Sequence, residues 1–375
     1  MDTITFNKPL VTGKEIEFIE RAVSGGSLSG DGSATQQIHK TATRKLGYTH
    51  FWLTPSCTQA LEMAAILTQA GSGDEIIIPS YTFVSTANAF VMRGATPVFA
   101  DSSPDHPNVD ADHIESLITP KTKAIVVVHY AAMSCDMNRI TSIANQHNLY
   151  VIEDAAQCIG AHFNGELLGN IGDFGALSFH ETKNIHCGEG GALIVQDPEH
   201  ARRAEIVREK GTNRSAFLRG EVDKYNWVDI GSSYLPSELN AAFLEPQLQA
   251  VQQVTEKRLS LWNLYNKQLE GIEHYGIQRP MVPHGCEHNG HIYYLICNSP
   301  DQRSQLIGEL KKQNIQASFH YQALHNSPYF RAHHNGKPLP QAERYTDCLV
   351  RLPLHYYLSE QDVTRVTNTI FEILN

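Results

Sequence analysis

A lysine and an aspartate carry the reactive chemistry that this 375-residue sequence offers. Lys183 sits in Gly175-Ala-Leu-Ser-Phe-His-Glu-Thr-Lys-Asn-Ile-His-Cys-Gly-Glu-Gly-Gly191, ahead of the apolar run Ala192-Leu-Ile-Val195. An amine held in a glycine-ended loop between two apolar strands can attack a carbonyl and form a Schiff base. Asp154 lies 29 residues earlier and ends the run Leu149-Tyr-Val-Ile-Glu-Asp154. A carboxylate paired with a pyridine nitrogen keeps that nitrogen protonated, so the ring becomes an electron sink; the two residues together suit pyridoxal 5′-phosphate (PLP). The amine must be neutral, and burial with nearby positive charge lowers a lysine pKa from about 10.4. In this reading the phosphate rests on Ser56, Cys57 and Thr58 with Ser178, Gln157 bonds the ring hydroxyl, Ala156 lets the ring lie flat, and Phe83 stacks on its other face. Each residue also has a plainer role: Lys183 as a solvated loop lysine, Asp154 as a helix cap, Phe83 as core, Ser178 as an ordinary strand residue.

These side chains need elements to hold them. Phe51-Trp-Leu-Thr54 reads as a strand that runs through Pro55-Ser-Cys-Thr-Gln59 into the helix Ala60–Leu67. A helix N-terminus after a small-residue turn favours an anion, through unpaired N–H groups and the helix dipole. The turn lacks the GxxxxGK[ST] pattern of a nucleoside triphosphate loop. Further strands are expected at Asp74–Pro79, Thr96–Ala100, Ala124–Val128 and Leu149–Asp154, each followed by a helical pattern; Asp110 caps one helix. The runs are continuously apolar rather than alternating, so both sheet faces are covered. Alternation of strand and helix predicts an α/β fold with a mostly parallel, helix-flanked sheet. Ligands collect at the carboxyl ends of such strands. The Ser56 turn, Tyr81–Phe83, His129, Asp154 and Lys183 all fall there.

The flanking stretches are read as follows. Thr12-Gly-Lys-Glu15 resembles a capping box, with Ile16, Ile19 and Val23 at helical spacing. Ser24–Ser33 is a glycine- and serine-rich loop, either a connector or a substrate-facing loop. Asp197-Pro198 opens a helix that ends at Lys210-Gly211. Thr212–Asp229 is a long polar loop. Ser237–Gly271 is helical with a kink at Pro246. Residues 1–250 make a large cofactor-binding domain. Residues 251–375 make a smaller α+β domain, with strands near Ile292–Cys297 and Ile315–Phe319 and helices near Gln302–Gln313 and Gln361–Leu374.

Composition narrows the class. The net charge is −10, which gives no footprint for nucleic acid. The seven cysteines form no CxxC pair, and the nineteen histidines are scattered, so no metal site is expected. Met1–Phe6 lacks the basic and apolar regions of a signal peptide, and no apolar run reaches membrane-spanning length. A soluble cytoplasmic protein without membrane contact is expected.

Asp154-Ala-Ala-Gln157, Ser178-Phe-His-Glu-Thr-Lys-Asn184 and Gly188-Glu-Gly-Gly191 resemble the nucleotide-sugar aminotransferases of the DegT/StrS type, over about Phe6 to Asn375. The resemblance implies the aspartate aminotransferase fold (fold type I), PLP on Lys183, Asp154 at the pyridine nitrogen, Gln157 at the 3-hydroxyl, and Ser178 with Cys57 and Thr58 at the phosphate. It also implies a homodimer with shared active sites. Leu28-Ser-Gly-Asp-Gly32, Pro79–Asn88 and Glu209-Lys-Gly-Thr-Asn-Arg214 bring it nearest to members that move an amino group from L-glutamate to carbon 4 of dTDP-4-dehydro-6-deoxyglucose. Gly30, Asp31, His180, Asn184, Arg214, Arg219, Lys224, His320 and Tyr321 are then candidates for the sugar nucleotide. The three cations suit its pyrophosphate, with the possibility of acting across a dimer. Relatives that dehydrate sugars carry histidine at the lysine position; this chain keeps Lys183. A PLP-binding scaffold without turnover stays open.

Overall fold

The computed structural model describes residues 2–334 and 337–375; Met1 lies outside them. Seven strands form the central sheet: β1 His50–Thr54, β2 Glu75–Pro79, β3 Thr96–Ala100, β4 Thr122–Val128, β5 Tyr150–Asp154, β6 Phe174–Ser178 and β7 Gly191–Val195. Their spatial order is β1-β7-β6-β5-β4-β2-β3. The pairs from β3 through β2, β4 and β5 to β6 are parallel. Only β7 is antiparallel to its neighbours, β6 and β1.

The apolar strand runs follow from burial on both faces. Ile76, Ile78, Val126, Ile152, Ala176 and Leu193 belong to one core cluster. Ile77, Ile125, Val127, Val151, Leu177 and Ile194 belong to the other. Residues one apart thus alternate between two buried layers, the pleat's period of two. Gly191 is required where β7 passes the turn after β1: a Cβ there would lie 2.3 Å from the Cys57 nitrogen.

The covering helices include α1 Glu15–Ser24, α2 Ser33–Thr41, α3 Cys57–Leu67, α4 Val84–Val91, α5 Ala111–Ser116, α6 Met137–His147 and α7 Pro198–Arg208. Asp110, Asp136 and Asp197 each cap the helix that follows. Later come α8 Arg214–Leu218, α9 Glu238–Gln249, α10 Val251–Gln268, α11 Pro300–Lys312, α12 Pro340–Cys348 and α13 Glu360–Leu374. A hairpin of β8 Tyr293–Ile296 and β9 Leu349–Leu352 lies in the C-terminal part, where α10 packs on α13.

Five expectations need amendment. Pro246 stays inside α9, and the break between α9 and α10 falls at Ala250. The Ile315–Phe319 stretch forms only isolated bridges, Ile315 to Ile4 and Ser318 to Arg351, because each residue finds a single partner instead of a ladder. The Thr212–Asp229 loop contains the short helix α8. In the Thr12–Glu15 motif, the Glu15 carboxylate accepts the Thr12 N–H at 2.7 Å, but Lys14 is the cap residue, and Thr12 Oγ1 accepts the Lys14 N–H at 3.3 Å instead of the Glu15 N–H. On α1 it is Glu15 and Ala22 that are buried, whereas Ile16 and Val23 are exposed.

Candidate active site

One cavity of about 550 Å³ is lined by Asp154, Lys183, the Ser56–Thr58 turn and residues of the C-terminal part. The turn's geometry is local. Ser56 is extended and its hydroxyl accepts the Gln59 N–H at 3.2 Å, so α3 begins with its N-terminus at the cavity. Thr58 Oγ1 lies 2.8 Å from Ser85 Oγ, which adds a second hydroxyl from the segment that opens α4. No charged side chain lies in the first turn of α3, so the dipole is left for an outside anion.

Lys183 is carried by the excursion between β6 and β7. The strands pair at Ser178 and Gly191, and the bonds continue past their ends: Phe179 N–H to Gly190 O at 2.8 Å, Cys187 N–H to Phe179 O at 2.9 Å, Glu181 N–H to Gly188 O at 2.8 Å. The Lys183 N–H itself donates to His180 O at 2.9 Å. Asn184 then anchors the loop to the C-terminal part: its amide donates to Asn289 O at 3.2 Å, and its Oδ1 lies 2.9 Å from His291 Nδ1. Burial of the amine of half-buried Lys183 pushes its pKa below the usual lysine range; the charge of Asp154 opposes that shift and the charge of Arg351 adds to it.

Asp154 is buried at the end of β5. Its Oδ2 accepts Thr86 Oγ1 at 2.7 Å and its Oδ1 accepts the Ala156 N–H at 3.2 Å. Burial raises the carboxyl's pKa, and those two bonds with the Lys183 charge oppose the rise. A carboxylate offers about four acceptor positions, so two remain. Gln157 accepts the Ala131 N–H at 2.6 Å and donates to the Tyr321 hydroxyl at 3.2 Å. Phe83 lines the cavity, mostly exposed, with its ring 6.3 Å from that of Tyr321. Ala156, Ser178 and His180 line it as well.

His320 and Tyr321 lie on the same cavity, stacked with their centroids 3.7 Å apart. His320 Nδ1 is 2.8 Å from the Tyr130 hydroxyl, and burial with the charges of Arg351 and Lys183 keeps the imidazole neutral.

The other candidates lie elsewhere in the single chain. Asp31, at a φ of 65°, pairs with the buried guanidinium of Arg208 at 2.6 Å. Gly30 packs against Leu235 and Pro236, where a Cβ would come within 2.7 Å of either. The loop is also held by buried Glu238, which accepts the Ala34 N–H at 2.8 Å and caps α2 from a distance in sequence. Arg214 is bound to Glu209, and Arg219 to Glu205 and Glu221, each at 2.7 Å. Neither they nor Lys224 line the cavity. Acidic neighbours on α7 and its extension draw these guanidinium groups aside, a pairing that polar-loop composition does not reveal.

Sequence reasoning missed several residues of the site. Thr86 orients Asp154, and Ser85, His291, Arg258 and Arg351 line the cavity. Arg351 had one signal, a charge within the apolar run Leu349-Val-Arg-Leu352.

Comparison with known proteins agrees with this geometry. The model of the DegT/DnrJ/EryC1/StrS aminotransferase family matches residues 9–371. The spore coat polysaccharide biosynthesis protein SpsC of Bacillus subtilis is 32% identical over 380 residues, covering 99% of this chain and 97% of SpsC. The aminotransferase TlmJ of Streptoalloteichus hindustanus superimposes with a TM-score of 0.91 at 27% identity, covering 100% of this chain and 99% of TlmJ. DesI, solved in the presence of its TDP-sugar product, gives a TM-score of 0.89 at 25% identity, covering 100% of this chain and 94% of DesI. The family is PLP-dependent, and the sheet with its covering helices is that of PLP fold type I. With the lysine, the aspartate and the helix N-terminus gathered on one cavity, the chain belongs to the DegT/DnrJ/EryC1/StrS aminotransferase family.

Proposed function

We propose that this chain transfers the amino group of L-glutamate to carbon 4 of dTDP-4-dehydro-6-deoxy-D-glucose. The product is dTDP-4-amino-4,6-dideoxy-D-galactose, for a surface polysaccharide such as enterobacterial common antigen. One observation carries the reading: a single cavity holds the buried carboxylate of Asp154, the amine of Lys183 and the N-terminus of α3. The donor set fits PLP, since the carboxylate has acceptor positions left, the first turn of α3 carries no charged side chain of its own, and the amine is biased toward its neutral form.

PLP, when bound, supplies an aldehyde that takes up an amino group and a protonated ring that accepts electrons. The residues' roles follow from their positions. Asp154, held by Thr86 and the Ala156 N–H, keeps the ring nitrogen protonated. Ser56, Cys57, Thr58 and Ser178 receive the phosphate. Gln157, fixed by Ala131 and Tyr321, would give its remaining N–H to the ring hydroxyl. Phe83 and Ala156, which both line the cavity, would take the two faces of the ring. Lys183 moves the proton at the carbon that exchanges its amine. His180, His320 and Tyr321 border the space left for the hexose.

Asp31 and Asn184 are spent on Arg208, Asn289 and His291, so they serve by holding the two loops. Arg214, Arg219 and Lys224 act on the pyrophosphate across a homodimer. Exposed apolar side chains on and near that segment, Leu218 and Trp227, and Ile16 and Val23 on α1, suit such an interface. The large domain, 1–250, supplies the cofactor wall, and the small domain, 251–375, closes the sugar side. Among the described residues no helix is long and apolar enough to cross a membrane.

The purified protein is expected to absorb visible light and to be bleached by L-glutamate. Addition of dTDP-4-dehydro-6-deoxyglucose then restores the colour, and NMR of the product shows an axial amine at carbon 4. Lys183→Ala lowers turnover about 10⁴-fold. The reading fails if no such chromophore exists and Lys183→Ala stays active. A gluco product, or an amine at carbon 3, keeps the chemistry and replaces the assigned product.

A further inference from the structure

Three side chains tether the loop that carries Lys183, and they lead to different parts of the chain. Asn184 reaches Asn289 O and His291 in the C-terminal part. Asn240 on α9 donates to the carbonyls of Cys187 and Glu189, at 3.2 and 2.9 Å. The third tether is His186. It is buried, it does not line the cavity, and its ring lies 5.5 Å from that of Phe243 on α9. Its Nε2 is 2.7 Å from Leu10 O. The Gly188 N–H points at Nδ1 at 3.4 Å, so the ring proton sits on Nε2 and is donated to Leu10. Burial lowers the imidazole's pKa, which favours this neutral form.

Leu10 belongs to a strap, residues 2–11, that begins the chain but lies on its C-terminal part. The Ile4 N–H donates to Asn314 O at 2.9 Å, and Ile4 O accepts the Gln316 N–H at 3.0 Å. The Phe6 N–H donates to Gln316 Oε1 at 2.9 Å, and the Val11 N–H to the Tyr357 hydroxyl at 3.0 Å. Asp2 O accepts Arg365 Nη1 at 2.7 Å. Between these fixings, Phe6 and Asn7 line the cavity. At Leu10 O the strap turns to the other side of the site. That one carbonyl accepts His186 and also Gln247 Nε2 of α9, at 2.9 Å. Among the described residues, the His186 bond is the strap's only hydrogen bond to the lysine loop.

We infer that His186 is a positioning residue: by fastening the lysine loop to the strap, it sets the direction of the Lys183 amine and ties it to the cavity wall that Phe6 and Asn7 form. The inference rests on the aminotransferase reading, which gives Lys183 its task. The two stems of the loop pair with each other only as far as Glu181 with Gly188. The tip that carries Lys183 lies beyond that pairing and is held by the side chains of Asn184 and His186. With one anchor the tip can pivot about Asn184; with two it cannot. An amine misplaced by about 1 Å costs up to about 100-fold in rate.

Three variants test this. His186→Phe keeps an aromatic ring beside Phe243 but has no donor. His186→Gln has an amide that can still donate to Leu10 O. Gln247→Leu removes the other donor from the same carbonyl and leaves the loop untouched. In the cofactor-free protein, hydrogen exchange at residues 182–187 should rise about tenfold in His186→Phe, with β6 and β7 unchanged. In the loaded protein, the pH midpoint of the visible band should move in His186→Phe. Turnover should fall about tenfold or more, with both half-saturating substrate concentrations within about twofold of wild type. His186→Gln recovers all three. Gln247→Leu lowers the melting point and leaves tip exchange and midpoint at their wild-type values. The inference is overturned if folded His186→Phe keeps the wild-type midpoint and stays within about twofold in exchange and turnover. It is also overturned if Gln247→Leu moves the midpoint as far as His186→Phe does, since Leu10 O then serves only to fix the strap. If His186→Phe does not fold, His186→Met takes its place under the same limits, and failure of both to fold assigns the bond to the scaffold and overturns the inference. A wild-type protein that forms no visible chromophore removes the aminotransferase reading instead, and exchange at the loop tip then judges the anchor alone.

Discussion

Glu153 and Asp154 are neighbours on β5, and their carboxylates point to opposite faces of the sheet. On the back face, Glu153 has no exposed surface and four donors. Its Oε1 accepts the N–H groups of Ile171 and Gly172, each at 2.7 Å. Its Oε2 accepts the Gly169 N–H and His129 Nε2, each at 2.8 Å. The Cys135 N–H points at His129 Nδ1 at 3.2 Å, which assigns the ring proton to Nε2. Every acceptor position of Glu153 is thus used inside the protein. On the front face Asp154 has two donors and opens onto the cavity. Two adjacent acids of similar burial therefore differ in what they have left over. A buried carboxylate with a full set of partners fixes the chain, in this case the Gly169–Gly172 turn against β5. One with unfilled positions on a cavity is available to a ligand.

The comparison is broken or sharpened most strongly by Asp154→Asn. Asparagine keeps the acceptor for Thr86 but cannot hold a ring nitrogen protonated, so turnover should fall about 1,000-fold. The sign for stability is opposite. Burial raises the Asp154 pKa above its ordinary value of 3.8, so the folded chain binds the extra proton in that window. Its contribution is present at low pH and lost as pH rises through the folded pKa. At neutral pH the cofactor-free Asp154→Asn protein should therefore melt above wild type, and a lower melting point would place Asp154 with Glu153 as a structural acid.

The next effect belongs to Glu153→Gln. The amide leaves one donor group facing N–H donors, and the chain should lose about 2–3 kcal/mol of stability, seen in denaturant unfolding. Turnover per folded molecule should stay within about threefold of wild type. A large loss of turnover at full folding would show that the back face tunes the chemistry directly.

The smallest effect is a pH slope. The Lys183 pKa is lowered from 10.5 by burial, so the unfolded chain binds more protons between the lowered value and 10.5. Stability of the cofactor-free protein should rise with pH across that window, and Lys183→Met should flatten the rise. An unchanged slope in Lys183→Met would assign it to another group.

The front wall was legible because its parts are local. A strand, a small-residue turn and a helix start can be read within Phe51–Leu67, and they are built by bonds such as Ser56 Oγ to the Gln59 N–H. The strand ends at Asp154 and Ser178 follow from apolar runs whose two faces are both covered. Less local features went astray. The Ile315–Phe319 segment had strand-like residues but received only one bridge at each end. Ile16 and Val23 had helical spacing, yet the buried positions on α1 are Glu15 and Ala22, because Glu15 bonds the Thr12 and Gly13 N–H groups and Gln247.

The sequence by itself determined the layered α/β architecture and the placing of an amine, a carboxylate and an anion-binding turn at strand ends. Periodicity and turn chemistry act over a few residues, and a strand end is a position that survives any detail of packing. The tertiary structure alone decided which charges are free. Asp31 is silenced by Arg208, 177 positions away, and Arg351 turns two of its N–H groups to Phe319 O, 32 positions away. Such pairings are set by the close packing of distant segments, and no local pattern records them.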